Sequence, residues 1–553
     1  MRSIFFSRVV AFLLLLPFPG YSQSDQSAVN EQGKTVVKAN TRLVIVDVVA
    51  SDSKGSPVLN LKKEDFTLFE DGRPQEISIF NFQQPGATPV QPEQHLPPNV
   101  FSNVPTSKST SLNVVLLDAL NGEFAGRAYA REQLIKFLEE GRTGQPVAVY
   151  ALENHLKLLH GFTADTREVV SAIRNYKPRV INQIETVRSA ASPFTQKGEF
   201  QTGPRNIETT LAALDFLAQS LAAYPGRKNL IWLSEAFPET LFPDLFPAGS
   251  PNNLAIMHNV VANEAGPVPF TPAQAALANS AQSLNPTQWA NSDYSAQVRK
   301  VANALMNAQV AVYPIDAAGV GRLSRIPNLA TMREVAERTG GKTFAGQNNL
   351  EASIRSSIDD GSTYYTLSYY PDNKAWNGQL RQIAIKINQP SVSLRYRQGY
   401  YALDPGAPET GGDSQKLLED FSRALGLDVP SATAILFQTV LASPADNHDK
   451  VVANFAINPH TLAFVDQPEG VHQANLTCAI VAFSEKGSPE KNTVATMTVP
   501  LKGEDFQKLM NTTFPCRASV ELKPGKYSLR LGVLDRNSRL MGTTTASITV
   551  PLP

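Results

Sequence analysis

Leu112-Asn113-Val114-Val115-Leu116-Leu117-Asp118 is an apolar run without alternation that ends on a carboxylate. A strand exposed on one face alternates apolar and polar residues. An uninterrupted run therefore reads as a strand buried on both faces, as in a parallel sheet covered by helices. A helix is expected next, with Ala130, Leu134, Phe137 and Leu138 on one side. Residues 147–152 and 156–162 read as two more strands. Asp165 and Glu168 have capping-box spacing ahead of Val169, Val170 and Ile173, and Ile207, Leu211, Leu214, Ala218 and Leu221 trace another helical stripe. Residues 229–234 return as a buried strand, followed by a helix around 298–305, a strand over 309–315, a helix from Leu329 to Gly340-Gly341 and a short helix through Leu350, Ile354 and Ile358. Such alternation predicts a doubly wound, mostly parallel α/β domain over 112–361.

On both sides of this unit the period changes to two. Residues 43–50 are a β-branched run, and 66–69 and 77–82, joined through Glu70-Asp71-Gly72, read as a hairpin. That makes residues 39–83 half a β-sandwich. Residues 362–403 alternate again, with Ile383, Ile385 and Ile387 in one strand and Val392, Leu394 and Tyr396 in the next. Half a sandwich cannot cover its own core, so the two β segments are expected to pack together, with the α/β domain inserted between them. Seven tyrosines in the second segment (Tyr364, Tyr365, Tyr369, Tyr370, Tyr396, Tyr400 and Tyr401) read as packing residues, with a ligand surface as the alternative. Residues 84–111, with Pro85, Pro89, Pro92, Pro97, Pro98 and Pro105, read as a linker. Residues 404–553 read as a second sandwich of roughly immunoglobulin size, after a short helix near 417–425.

Arg2 and Arg8 precede an apolar stretch over 9–16 and then Pro17, Gly20 and Ser22, the pattern of a signal peptide over 1–22 with a polar leader over 23–38. The mature chain is therefore expected in the periplasm or outside the cell, with no integral membrane segment. Lys plus Arg equals Asp plus Glu, 50 of each, in 553 residues. With no basic run, nucleic acid is not the expected partner. An oxidising compartment lets Cys478 and Cys516 form a disulfide if their strands bring them close.

The segments 112–118, 225–234 (Pro-Gly-Arg-Lys-Asn-Leu-Ile-Trp-Leu-Ser) and 312–316 (Val-Tyr-Pro-Ile-Asp), with Gly399-Tyr400-Tyr401-Ala402, resemble the von Willebrand factor A-related family common in acidobacterial proteomes. The resemblance covers roughly 41–402. It implies a divalent-cation adhesion site at the carboxyl ends of the first and fourth strands, held by an Asp-x-Ser-x-Ser loop, a Thr and a further Asp. Asp118 matches the first Asp, but Leu120 and Gly122 replace the serines, Arg205 stands where the Thr is expected, and Ser234-Glu235-Ala236 replaces the usual Thr-Asp-Gly. Asp118, Asn121 and Glu235 are the candidate metal ligands that remain, about three oxygens, too few for a hard cation. The expectation is thus a degenerate site without cofactor, a divalent cation being the alternative. Arg205 is then expected either to bridge Asp118 and Glu235 in the cation's place or to face solvent. Asp118, Asn121, Arg205 and Glu235 together are the candidate ligand-binding residues.

Two long segments, 184–205 and the Pro-, Asn- and Ala-rich insertion 236–293, are expected at the same end of the sheet, as recognition loops or as a lid. No Gly-x-Ser-x-Gly elbow, phosphate-binding Gly-rich loop or paired Cys motif occurs. His155 and His160 do not make a metal site, Asp359-Asp360 reads as a solvated turn, and Asp316 as a loop cap. The reading is an exported, non-enzymatic protein that binds a protein partner or mediates adhesion. An envelope assembly factor using sandwich edges is the alternative, and a hydrolase with a dispersed site a third.

Overall fold

The structure, a computed structural model, describes residues 42–84, 96–106, 109, 111–122, 124–141, 145–178, 203–235, 295–317, 326–346, 349–403, 414–442 and 449–551. For 203–205, 295–296 and 326–331 only the backbone is described. The expected signal peptide, the leader, the segment 184–202 and the insertion 236–293 lie outside the described residues.

The first β unit combines two stretches of chain far apart in sequence. Strands β1 (Val44–Ser51), β2 (Phe66–Glu70), β3 (Arg73–Gln75) and β4 (Ile79–Gln83) come from before the α/β unit, and β11 (Tyr364–Tyr369), β12 (Leu380–Ile387), β13 (Ser393–Arg395) and β14 (Gly399–Tyr401) from after it. They form two four-stranded sheets of order β13-β1-β11-β4 and β14-β12-β2-β3. In β1, Val44–Val48 pair with β11 and Val49–Ser51 with β13, so one β-branched run is central throughout. The core between the sheets holds Val46, Val48, Phe66, Leu68, Tyr365, Tyr369, Ile383 and Ile385. Tyr364, Tyr365, Tyr369, Tyr400 and Tyr401 are buried, and their hydroxyls have internal uses: Tyr369 and Tyr400 both donate to Glu70 Oε2, at 2.6 and 2.9 Å. The Arg381 guanidinium lies 3.3 Å from the other Glu70 oxygen, so this buried carboxylate is paired as well as hydrogen-bonded.

Between these stretches, β6 (Ser111–Asp118), β7 (Val147–Leu152), β8 (Leu156–Thr163), β9 (Arg227–Ser234) and β10 (Val310–Asp316) build a five-stranded sheet of order β10-β9-β6-β7-β8. All neighbours are parallel except β8, an antiparallel edge on β7. Every residue of β6, β7, β9 and β10 is buried, because helices cover both faces. Helices α1 (Phe124–Glu139) and α2 (Thr166–Asn175) pack on one face with α6 (Leu350–Asp360), against Val115, Leu117, Ile231 and Tyr313. Helices α3 (Gly203–Leu221), α4 (Ser295–Asn307) and α5 (Ile326–Thr339) pack on the other, against Val114, Leu116, Leu230 and Trp232. Helix α4 has a second face. Its Val298, Val301 and Leu305 belong to the sheet core while Ala302 and Met306 enter the sandwich core, which joins the two units.

The second sandwich follows α7 (Ser414–Ala424). It comprises β15 (Phe437–Ala442), β16 (Lys450–Ile457), β17 (Val465–Gln467), β18 (Val471–Ser484), β19 (Pro489–Lys502), β20 (Phe514–Glu521), β21 (Gly525–Asp535) and β22 (Met541–Val550), with α8 (Gly503–Met510) between β19 and β20. Cys478 of β18 and Cys516 of β20 form a disulfide between its two sheets.

Two expectations need correction. The stretch read as linker contributes strand β5 (Val100–Ser102), which adds to the edge of β15 in the second sandwich. Asn103 fixes it there: its amide donates to the carbonyls of Ala432 and Ile435 at 2.9 and 2.7 Å, and its Oδ1 accepts from Phe437 N. An unpaired sheet edge supplied the partner, which prolines on either side do not exclude. The second correction concerns Asp360. It is not a solvated turn residue but accepts from Tyr313 Oη at 2.9 Å and pairs with Arg395 of β13, because the returning sandwich strand lies over the end of α6.

Candidate functional site

The strand order reverses at β6, whose chain successors β7 and β8 lie on one side and β9 and β10 on the other. A crevice belongs at the carboxyl ends of β6 and β9, where connections leave in opposite directions. Each of the four parallel strands ends on an acidic residue there: Asp118 closes β6, Glu153 follows β7, Glu235 follows β9 and Asp316 closes β10. All four are buried. Asp316 registers with Ser234 across the β10–β9 pair.

Asp118 is 4% exposed and accepts five hydrogen bonds. Its Oδ1 takes the backbone amides of Leu120 and Asn121 at 3.0 and 2.9 Å, and its Oδ2 takes Asn121 Nδ2 at 3.0 Å, Trp232 Nε1 at 3.1 Å and Ser234 Oγ at 2.8 Å. Burial raises its pKa, and hydrogen bonds from Asn121, Ser234 and Trp232 pull the other way by favouring the anion. Five donors use the lone pairs that a cation needs. This carboxylate is the hub of a protein network.

Asn121 is part of that hub. Its amide nitrogen bridges Asp118 and Thr210 Oγ1, the latter at 3.1 Å, so the group facing Asp118 is a donor and not a ligand oxygen. Glu235 takes a different place. Its carboxylate lies over the start of α1, so close that a Cβ on Gly126 would stand 2.4 Å from Oε2 and one on Gly122 would stand 2.9 Å from the Glu235 Cβ. Glu235 is not among the donors and acceptors around Asp118. Among the described residues no group of three or more His, Cys, Asp or Glu is placed to hold a metal ion.

Arg205 falls in the first turn of α3, not in a loop, since the helix starts at Gly203-Pro204; proline suits a first turn, whose N–H groups have no helical acceptors. Its side chain lies outside the described residues, as does its expected bridge between Asp118 and Glu235. Three residues of the hub were missed: Thr210, Trp232 and Ser234. Leu116 registers with Trp232, and Ser234 lies two residues on, so the period of two places Asp118, Trp232 and Ser234 on one face of adjacent strands. Thr210 is three residues beyond Ile207 and one before Leu211, inside the buried stripe of α3.

Ser234 is 1% exposed and donates to Asp118, which leaves it closed to any substrate. Tyr176, after α2, donates to Glu153 Oε1 at 2.8 Å, and burial and this carboxylate raise its pKa. The rim is a set of satisfied polar contacts, with no nucleophile and base poised together among the described residues. The chain segments bracketed by Tyr176 and Gly203, and by Glu235 and Ser295, start and finish at this same rim, because α2 runs up to it and α3 and α4 run down from it.

No protein-family model matches the chain, and no curated protein does. Among solved structures, the chain is similar to the vWF domain of the type V pili tip protein Mfa5 from Porphyromonas gingivalis, at 14% identity and a TM-score of 0.25, covering 45% of this chain and 93% of that one. A three-domain N-terminal piece of the same protein matches at 10% identity and a TM-score of 0.25, over 86% of this chain and 98% of that one. The ArnB paralog VWA2 from Sulfolobus acidocaldarius matches at 8% identity and a TM-score of 0.21, over 92% and 75%.

Proposed function

We propose that the chain is an exported, non-enzymatic binding or adhesion protein, in which a von Willebrand A-like unit presents loops at a rim that works without a metal ion. The observation that carries this reading is the saturation of Asp118. In a cation-dependent adhesion site that aspartate keeps oxygen lone pairs for the ion or for its water; here they accept two backbone amides, a carboxamide, an indole and a hydroxyl. Recognition then falls to the long segments 184–205 and 236–293, as expected of long connections on a rigid scaffold. Partner chemistry is protein, not nucleic acid, since the charge is balanced. Among the described residues no helix is long and apolar enough to cross a membrane.

The competing reading, strand addition at a sandwich edge, has several candidates among the described strands, of which the longest are β19, which pairs only with β18, and β22, which pairs only with β21. β19 carries Pro500 within it and starts on Pro489, and a proline removes a donor from an edge and blunts it.

The test has two arms. A thermal-shift titration with calcium, magnesium and manganese is expected to leave Tm unchanged, and a saturable rise overturns the metal-free reading. Replacing 236–293 by a short Gly/Ser linker is expected to abolish capture of a partner that the intact chain retains from an envelope-protein extract. Equal capture by both chains transfers the function to the sandwiches.

A further inference from the structure

Where the first sandwich meets the amino-terminal edge of the sheet, the end opposite Asp118, there is a small cavity of about 20 Å³ lined by Asp47, Arg227, Met306, Gln309, Thr339 and Arg397. Arg227 starts β9 and belongs to the α/β unit; Asp47 and Arg397 belong to the sandwich. Both arginines are buried, at 2% and 9% exposure.

Their partners differ. Arg227 Nη2 donates to Tyr313 Oη at 3.1 Å and Gly340 O at 2.6 Å, while its Nε has no partner. Arg397 makes no hydrogen bond or ion pair among the described residues; its Nε is orphaned, and its guanidinium lies 5.9 Å from the centre of the Tyr400 ring. Asp47 does not neutralise it by contact, since its two oxygens accept from Thr366 Oγ1 at 2.8 Å and Gln309 Nε2 at 3.0 Å. The remaining carboxylate at this junction, Asp360, is taken by Arg395 and by Tyr313. Arg227, Arg395, Arg397 and the buried Lys228 ammonium thus share two carboxylates, Asp47 and Asp360, and Arg397 is left without a contact to either. A buried guanidinium with no counter-charge in contact is unfavourable, and buried charges are normally paired.

We infer that this cavity is a binding site for a small monovalent anion, of halide size, which bridges Arg397 of the sandwich and Arg227 of the sheet and so clamps the two units together. The site is independent of the rim and of the adhesion reading, which it neither needs nor supports.

The experiment uses the full mature chain in sodium gluconate, whose anion is too large for the cavity, exchanged stepwise for sodium chloride at constant ionic strength. The expected result is a saturable rise in Tm of several degrees that is absent in Arg397→Gln. A Tm indifferent to chloride, or a chloride response retained in Arg397→Gln, overturns the proposal. Should Arg397→Gln not fold, crystals of the unaltered chain soaked in bromide decide: an anomalous peak between the Arg227 and Arg397 guanidiniums supports the site, and its absence sinks it.

Discussion

The indole N–H of Trp232 donates to Asp118 Oδ2 at 3.1 Å, from the neighbouring strand and the same face of the sheet. A large, fully buried side chain thus occupies the approach to the carboxylate on which the family resemblance would place a cation.

Asp118→Ala removes the common acceptor of five hydrogen bonds and strands the Trp232, Ser234 and Asn121 donors in the interior. The expected loss is about 3–5 kcal/mol in urea unfolding, equal with EDTA and with added calcium. A loss seen only when calcium is present contradicts the metal-free hub.

Gly126→Ala drives a methyl group into the Glu235 carboxylate. Because Glu235 is itself buried, moving its carboxylate aside is expected to offset the roughly 1 kcal/mol that alanine gains over glycine inside a helix. Gly161→Ala is the control, because nothing lies within 4 Å of a Cβ there. A full gain of about 1 kcal/mol for Gly126→Ala would show that Glu235 does not rest on α1.

Lys228, 1% exposed, donates its ammonium to the carbonyls of Tyr224 and Gly226, yet burial pushes its pKa down to about 7. Between that value and the ordinary lysine value of about 10.4, the unfolded chain holds a proton that the folded chain has released. Stability from this group therefore rises as the pH rises through that window. Lys228→Met should flatten the increase in Tm between about pH 7 and 10. An unchanged slope would assign the effect elsewhere.

Asp428 docks the second sandwich on β8: its backbone carbonyl accepts from Leu158 N at 3.0 Å, and its carboxylate faces His155 and Lys157. The His155 hydrogen bond holds its pKa near 2. A depressed carboxylate contributes stability above its unfolded pKa of about 3.9, and that stability is lost as pH falls toward the folded value. Half exposed, the pair is worth under about 1 kcal/mol. Asp428→Asn should be slightly less stable at neutral pH and indistinguishable from the parent at the acid end, by denaturant midpoint.

Replacing both Cys478 and Cys516 by Ala opens a link spanning 38 residues. Chain entropy alone puts the cost at roughly 4 kcal/mol. A double variant that melts with the parent would show that the bridge adds nothing to this sandwich.

Much of the molecule was legible in the chain. Apolar runs without alternation marked the doubly covered strands, and helical stripes such as Ile207, Leu211 and Leu214 marked what covers them, since burial leaves a local periodicity. Strand β5 was not legible, because three residues among prolines carry no period and acquire one only on the edge of β15. Asp360 was misread for a related reason: its partner Arg395 is brought over the helix end by the fold.

What the sequence determined by itself is the alternation of strand and helix over 112–361, the switch to period two on either side, and the carboxylates at the strand ends, all consequences of which residues must leave water within a few positions of one another. What only the tertiary structure decided is who meets whom. Pairing of 44–83 with 364–401, the donors around Asp118, the seat of Glu235 on Gly126 and the unmatched charge of Arg397 depend on register and packing between residues up to hundreds of positions apart. No local pattern records such contacts.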